Sequence, residues 1–467
     1  MTDSLNLRWG ALTLAAGLLS GCSFIPTHER PAAPVAAQFP GQAVAATAAQ
    51  ADLPWQQFVA DARLRELITL ALANNRDLRV AALNMEQVRA QYQIRQADQF
   101  PTLNLAASGS RQPTSSGGIS SSYSVGLAMS SWEIDFFGRV ASLKEAALAQ
   151  YLASEEARRS VQTSLVASVA STWLSLQAND GLLALTQRTL KTREDSLRLT
   201  RLRFDNGATS ALDLRQAESL TAAAQAALAQ QQRLRALDLN ALTLLVGQSV
   251  PDALLTVEPP SSSAQAAAPP LFGAVPTGLP SDLLARRADI RQAEQQLIAA
   301  NASIGAARAA FFPRIALTAG FGSASSELSG LFKGGSWGFS LAPQALLPIF
   351  DAGRNQAGLD SAQAGRAIAV AQYEKTIQTA FREVADALAG RATLGDQLRA
   401  QQAQATAESE RFRLSELRYR NGIASFLDVL DAQRSLFAVE QSLALSQLAL
   451  QQNQVALYKA LGGGWQE

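Results

Sequence analysis

Of the side chains that make and break bonds, this sequence keeps very few. It holds one histidine and one cysteine in 467 residues. A multi-ligand zinc site, an iron–sulfur centre and an internal disulfide framework are therefore excluded. A Ser-His-Asp triad would have to use His28, which sits near the N-terminus amid proline and alanine. No nucleophile–base constellation remains, and the sequence does not read as an enzyme. Lys and Arg number 40 against 39 Asp and Glu, so no overall field draws nucleic acid. The charge chemistry that is left is pairing along helices, as at Asp428, Asp431 and Arg434. From the residues alone, Asp431 and Arg434 are an i,i+3 pair on a solvated helix face, worth a few tenths of a kcal/mol.

The lone cysteine has a context. Arg8 is followed by an apolar run from Ala11 to Leu19, too short to span a bilayer as a helix, and then by Leu19-Ser20-Gly21-Cys22. This resembles the lipobox of bacterial lipoproteins, which implies a signal peptide over 1–21 and a lipid on Cys22. The alternative is an ordinary cleaved signal with an incidental thiol. Ser23 in place of Asp implies outer-membrane delivery by the lipoprotein sorting pattern.

Proline placement divides the rest of the chain. Pro26, Pro31, Pro34, Pro40 and Pro54 make residues 22–60 an extended tether. No proline occurs from Thr114 to Val250, or from Ile349 to the end. Between these stretches, residues 251–280 carry seven prolines and form a connector. The proline-free stretches are helical and repeat every seven residues. Val169, Leu176, Leu183, Leu190, Leu197 and Phe204 form one series; Val429, Leu436, Leu443, Leu450 and Leu457 form another. Such repeats predict coiled-coil packing. A helix from Arg139 to Arg203 would reach roughly 100 Å.

The chain also repeats itself. Leu199 to Asp213 aligns without a gap on Leu414 to Asp428, and Asp77-Leu78-Arg79 pairs with Asp289-Ile290-Arg291. The expected organisation is a first repeat over 61–250 and a second over 281–467. Asn206-Gly207 and Asn421-Gly422 are turn signals at the tips of two helical hairpins, near 207 and 422. Ser210 and Ser425 read as helix starts, with Asp213 and Asp428 in the first turn. Two β-hairpins are expected, over 102–132 and 314–345. There Leu103, Leu105, Tyr123, Val125, Leu127, Ile315, Leu317, Phe321, Trp337 and Phe339 alternate with small residues. One apolar and one small face over about ten residues is the pattern of a transmembrane barrel strand. Four strands cannot close a barrel around water, so several chains would share one.

These features, with Trp132–Arg139, Leu283–Arg291, Ala306–Pro313, Pro348–Arg354 and Tyr458–Trp465, resemble the TolC-like outer membrane factors. The likeness is to their lipoprotein branch, the OprM/NodT type. Ala288 stands where the family more often has Pro. The resemblance implies a mainly α fold with a small β part. Duplicated long coiled-coil hairpins would form a trimeric α-helical barrel, and four strands per chain would build a twelve-stranded transmembrane β-barrel. It further implies a homotrimer, lipid-anchored in the bacterial outer membrane and extending into the periplasm. Its partners would be a periplasmic adaptor and an inner-membrane transporter of the RND class, and its task the passive exit of drugs and other small molecules. No cofactor or metal is implied beyond the lipid on Cys22. By match to the family's gate, Leu427, Asp431 and Arg434 would line a closed constriction with Asp428 beside them, pairing between neighbouring chains. Adaptor docking would fall on Asn206, Gly207, Asn421 and Gly422. The competing expectation is an outer-membrane-tethered coiled-coil scaffold or adaptor without a pore.

Overall fold

In chain order the computed structural model runs α1 (Ala62–Asn74), α2 (Arg76–Ala97), β1 (Leu103–Pro113), β2 (Ile119–Ile134), α3 (Arg139–Asp205), α4 (Ala211–Val246), α5 (Ala288–Ala309), β3 (Arg314–Ser325), β4 (Trp337–Leu346), α6 (Arg354–Arg420) and α7 (Phe426–Ala460). It describes residues 23–39, 53–115, 117–255, 271–273, 284 and 286–463. Cys22, the signal segment and most of the connector lie outside the described residues. Contacts divide the chain into two units. One comprises Met1–Ala33, Ala82–Glu156 and Ile290–Thr376; the other comprises Pro34–Ala81, Ala157–Asp289 and Ile377–Glu467.

In the first unit the strands form one antiparallel sheet in the order β1-β2-β3-β4. Its register carries the alternation across all four strands. Leu105, Leu127, Phe321 and Phe339 stand in one row, and Ala106, Gly126, Gly322 and Gly338 in the next. One face is therefore apolar and the other small, as a period of two requires. Gly126 and Gly322 are fixed by close approach, since a Cβ on either would overlap the backbone of the opposite strand. β1 and β4 each leave one edge without a strand beside it among the described residues.

Three of the four junctions between strands and helices use the motif residues. Glu133 takes a two-pronged bond from Arg139 at 2.8 and 2.7 Å and another from Arg314 at 2.5 Å. Asp135 accepts the Ala141 N–H at 2.7 Å and so caps α3. Asp351 accepts the Gly353 and Asn355 N–H groups at 3.0 and 2.9 Å and does the same for α6. Phe312 lies between Phe24 and Phe137, with ring centres 4.7 and 5.0 Å away. The segment read as a tether is thus docked in part, and Arg30 forks onto Glu294 at 2.8 and 2.7 Å.

The second unit holds the main apolar core. Trp55, Phe58, Leu64, Leu67 and Ile68 close on Val169, Trp173, Leu176, Leu242 and Val246. Two equivalent latches flank it. Asn75, before α2, donates to the Leu245 carbonyl at 2.8 Å, and Arg287, before α5, donates to the Ala460 carbonyl at 3.0 Å. Residues 245 and 460 correspond in the duplication, so an amide and a guanidinium perform one task. Arg287 is also held by Asp289 and Glu383, at 2.6 and 2.7 Å. Gly247 closes the first latch: its φ is +79°, and a Cβ there would run into the Asn74 carbonyl.

The seven-residue apolar series is buried only in part. Val169 and Leu176 are in the core, but Leu183, Leu190 and Leu197 are half-buried and Phe204 is exposed. Towards the tip, α3 instead buries Thr186, Arg193 and Thr200, a polar column of the same spacing. A seven-residue repeat fixes which stripe is shared with a partner helix, and a single chain covers only one side of it.

The apolar core dominates the stability of this unit. Trp173 is 1% exposed, and Trp173→Ala is expected to cost about 3–5 kcal/mol through the cavity it leaves. A lowered denaturation midpoint of the detergent-solubilised protein is the measurement that checks this.

Candidate functional site

The two hairpin tips are built alike, from short sequence signals. At each, a glycine at φ +71° reverses the chain. The next residue's N–H returns to the last turn, Ala208 to the Arg203 carbonyl at 2.7 Å and Ile423 to the Arg418 carbonyl at 2.9 Å. Asn206 and Asn421 each donate from the side-chain amide to a carbonyl four residues back, at 2.7 Å. Ser210 with Asp213 and Ser425 with Asp428 form reciprocal capping boxes. All four expected docking residues, Asn206, Gly207, Asn421 and Gly422, therefore have a complete structural role in the turns.

The expected gate residues fall on the first three turns of α7 and separate into two kinds. Asp428 accepts from the Ser425 N–H and hydroxyl, both at 3.1 Å, and serves its own helix start. Asp431 faces across the hairpin. It accepts from Arg411 of α6 at 2.6 Å and from Arg434 of α7 at 2.6 Å. Arg411 first, and Arg434 with it, hold the Asp431 carboxyl below the usual carboxylate range. Leu427 is 47% exposed. Leu427, Leu430, Asp431 and Arg434 line a cavity of about 200 Å³ shared with Gln216, Ser219 and Leu220 of α4.

Sequence reasoning missed three members of this region. Arg411 was available to it, because Arg411 and Asp431 stand ten residues either side of Asn421 and must face each other once the hairpin closes. Arg203 of α3 bonds the Tyr419 hydroxyl and lies 5.3 Å from the centre of that ring, joining the two hairpins. Arg193 reaches Phe437 in the same way, 5.2 Å from the ring centre. No local signal marks these arginine–aromatic contacts, since each joins positions more than two hundred residues apart.

No cluster of three or more His, Cys, Asp or Glu able to hold a metal occurs among the described residues. No helix among them is long and apolar enough to cross a membrane. What the arrangement offers is ion pairing, apolar contact and a seam between two hairpins.

Comparison with known proteins places this architecture. The family model for outer membrane efflux proteins matches residues 67–248 and 279–463. The probable efflux pump outer membrane protein TtgC of Pseudomonas putida is 50% identical over 98% of this chain and 96% of its own. The outer membrane protein OprJ of Pseudomonas aeruginosa is 48% identical over 97% of this chain and 95% of its own. The crystal structure of the open state of the MtrE outer membrane channel of Neisseria gonorrhoeae is similar with a TM-score of 0.85, at 40% identity over 95% of this chain and 99% of that one. The chain belongs to the outer membrane efflux protein family.

Proposed function

We propose that this chain is the outer-membrane exit channel of a tripartite efflux pump, passing drugs and other small molecules outward without chemistry of its own. The observation that carries the reading is the four-stranded sheet, apolar on one face and small on the other, with both edges open among the described residues. Open edges are not tolerated in hydrocarbon. Three copies contributing four strands each would close a twelve-stranded barrel, a number within the range known for such barrels. TtgC is named as an efflux pump component and MtrE as an outer membrane channel. Work is supplied by an inner-membrane transporter, of the RND class, through a periplasmic adaptor that docks on the tip turns at Asn206-Gly207 and Asn421-Gly422. The chain is organised as repeats 61–250 and 281–467 about the connector 251–280. A lipid on Cys22 anchors its N-terminus in the membrane.

The gate lies at the second hairpin tip. Asp431, held by Arg411 and Arg434, keeps α6 and α7 in register, and Leu427 supplies apolar contact beside it. Around a threefold axis, each of these residues approaches its two copies, so loosening the cluster in one chain loosens it in all three.

Three outcomes are expected. In planar bilayers the wild-type channel shows a small conductance that rises several-fold in Asp431→Ala and in Arg411→Ala. No conductance from verified trimers would favour a tethered scaffold without a pore. Acid acts in the same direction. Because the Asp431 carboxyl is depressed, its pairing persists at neutral pH and is lost as pH falls through a value below 3.8. Conductance should therefore be flat near neutrality and rise only below that value, and the acid-induced rise should be absent from Asp431→Asn. Finally, Cys22→Ser should abolish incorporation of labelled palmitate and release the N-terminus from the membrane, which radiolabelling and fractionation would read.

A further inference from the structure

Between the hairpins the seam is unlike the core. Where α3 buries Thr186, Arg193 and Thr200, α4 faces it with Thr221, Ala224 and Gln231, and α7 contributes Ala432, Gln433, Val439 and Ser446 to the buried set. Leu182, Leu214, Val429 and Leu430 are buried on the same helices, but the polar and small side chains between them bury little apolar area, so burial holds this seam less firmly than it holds the core around Trp173.

Arg193 is the sharpest case. It is 4% exposed. Its Nη1 donates to the Leu220 carbonyl of α4 at 2.9 Å, and its guanidinium carbon lies 5.2 Å from the Phe437 ring centre of α7. Its Nε is buried without an acceptor. No carboxylate pairs with it among the described residues. Glu440, one turn beyond Phe437, is instead influenced by Arg188, which opposes the upward push of burial on that carboxyl. An arginine cannot shed its proton to escape burial. A single carbonyl and an aromatic face replace only part of the water it has lost.

We infer that Arg193 is a positioning residue of the gate, a buried cation that keeps the seam between the α3–α4 and α6–α7 hairpins ready to part. The inference deepens the gating reading above and rests on it. In the closed seam the guanidinium is under-solvated; when α7 moves away from α3 and α4, water reaches it and the penalty is relieved. The cation thus opposes closure, while the Asp431 cluster favours it. A neutral, apolar residue of similar length would fill the same space, keep contact with Phe437 and remove the drive to part. A lysine would keep the charge. Replacing the Phe437 ring with an aliphatic side chain would leave the cation worse solvated in the closed seam and strengthen that drive.

The test is the single-channel open probability of the full-length purified trimer in planar bilayers, with Asp431→Ala as reference. Arg193→Met is expected to open several-fold less often than wild type, Phe437→Leu several-fold more often, and Arg193→Lys to lie closer to wild type than Arg193→Met does. Denaturation midpoints of the same variants separate gating from folding. A merely structural arginine would lower the midpoint of Arg193→Met and leave its open probability at or above the wild-type value, which overturns the proposal. Open probabilities unchanged in all three variants, with Asp431→Ala still raised, would also overturn it while sparing the gating reading. If Asp431→Ala itself leaves the channel unchanged, the gate has been misplaced and both fail together.

Discussion

A strand edge cannot be left bare in hydrocarbon, and the described residues of this chain leave two. β1 and β4 bound a sheet whose apolar face is suited to lipid and whose small face is not, so the sheet is incomplete as one chain makes it. Closure by further copies follows once the apolar face places those edges in lipid. Once copies are arranged about an axis, every residue near that axis meets its own image. The character of the helical hairpins is then decided by symmetry: like charges converge, and a cluster such as Asp431 and Glu408 with Arg411 and Arg434 must neutralise itself within each chain if the closed arrangement is to persist.

Within the second unit, burial changes character along the same helices. Around Trp173 the buried residues are large and apolar and are latched at both repeat ends by Asn75 and Arg287. Around Arg193 they are mostly threonines, glutamines, alanines and a serine, with Val439 and a cation that has no carboxylate partner among the described residues. The first arrangement resists separation in proportion to the apolar area it removes from water; the second offers little such area and carries a desolvation cost. A pair of hairpins fixed firmly in one region and loosely in another can part locally without unfolding.

Much of this was legible in the sequence, and the boundary of what was legible is physical. Helix caps are written within four residues, so Ser210 with Asp213 and Ser425 with Asp428 could be read directly, as could the glycines that turn each tip. Strand faces are written with a period of two, and Leu105, Leu127, Phe321 and Phe339 fell on one row as that period requires. The latch could not be read, because Asn75 and Arg287 share no chemistry beyond an N–H donor and meet their carbonyls only after the repeat folds back. The polar column was missed for a different reason. Reading a seven-residue repeat selects apolar positions, and Leu183, Leu190 and Leu197 were there to be selected. The chain buries Thr186, Arg193 and Thr200 more deeply, leaving the leucines half-covered and available to a neighbouring copy.

Asp428 and Asp431 show how one turn of helix decides what a carboxylate does. Asp428 stands in the first turn and spends its lone pairs on the N–H and hydroxyl of Ser425, so its charge belongs to the helix start. Asp431 stands beyond the reach of those N–H groups and is free to take Arg411 from the opposite helix. Both of its partners lie on the α6–α7 hairpin, so the cluster stiffens that hairpin and does not tie it to the other. Near the core the hairpins are joined by Gln452, which donates to the Ser171 carbonyl and the Ser175 hydroxyl, whereas towards the tips the contacts include Arg203 on Tyr419 and Arg193 on Phe437, cations on aromatic faces. Such contacts tolerate sliding and tilting in a way that a two-pronged ion pair does not. A hairpin held in register by its own ion pairs and only loosely by its neighbour yields at the seam, and loosening those ion pairs lets it give way there more readily.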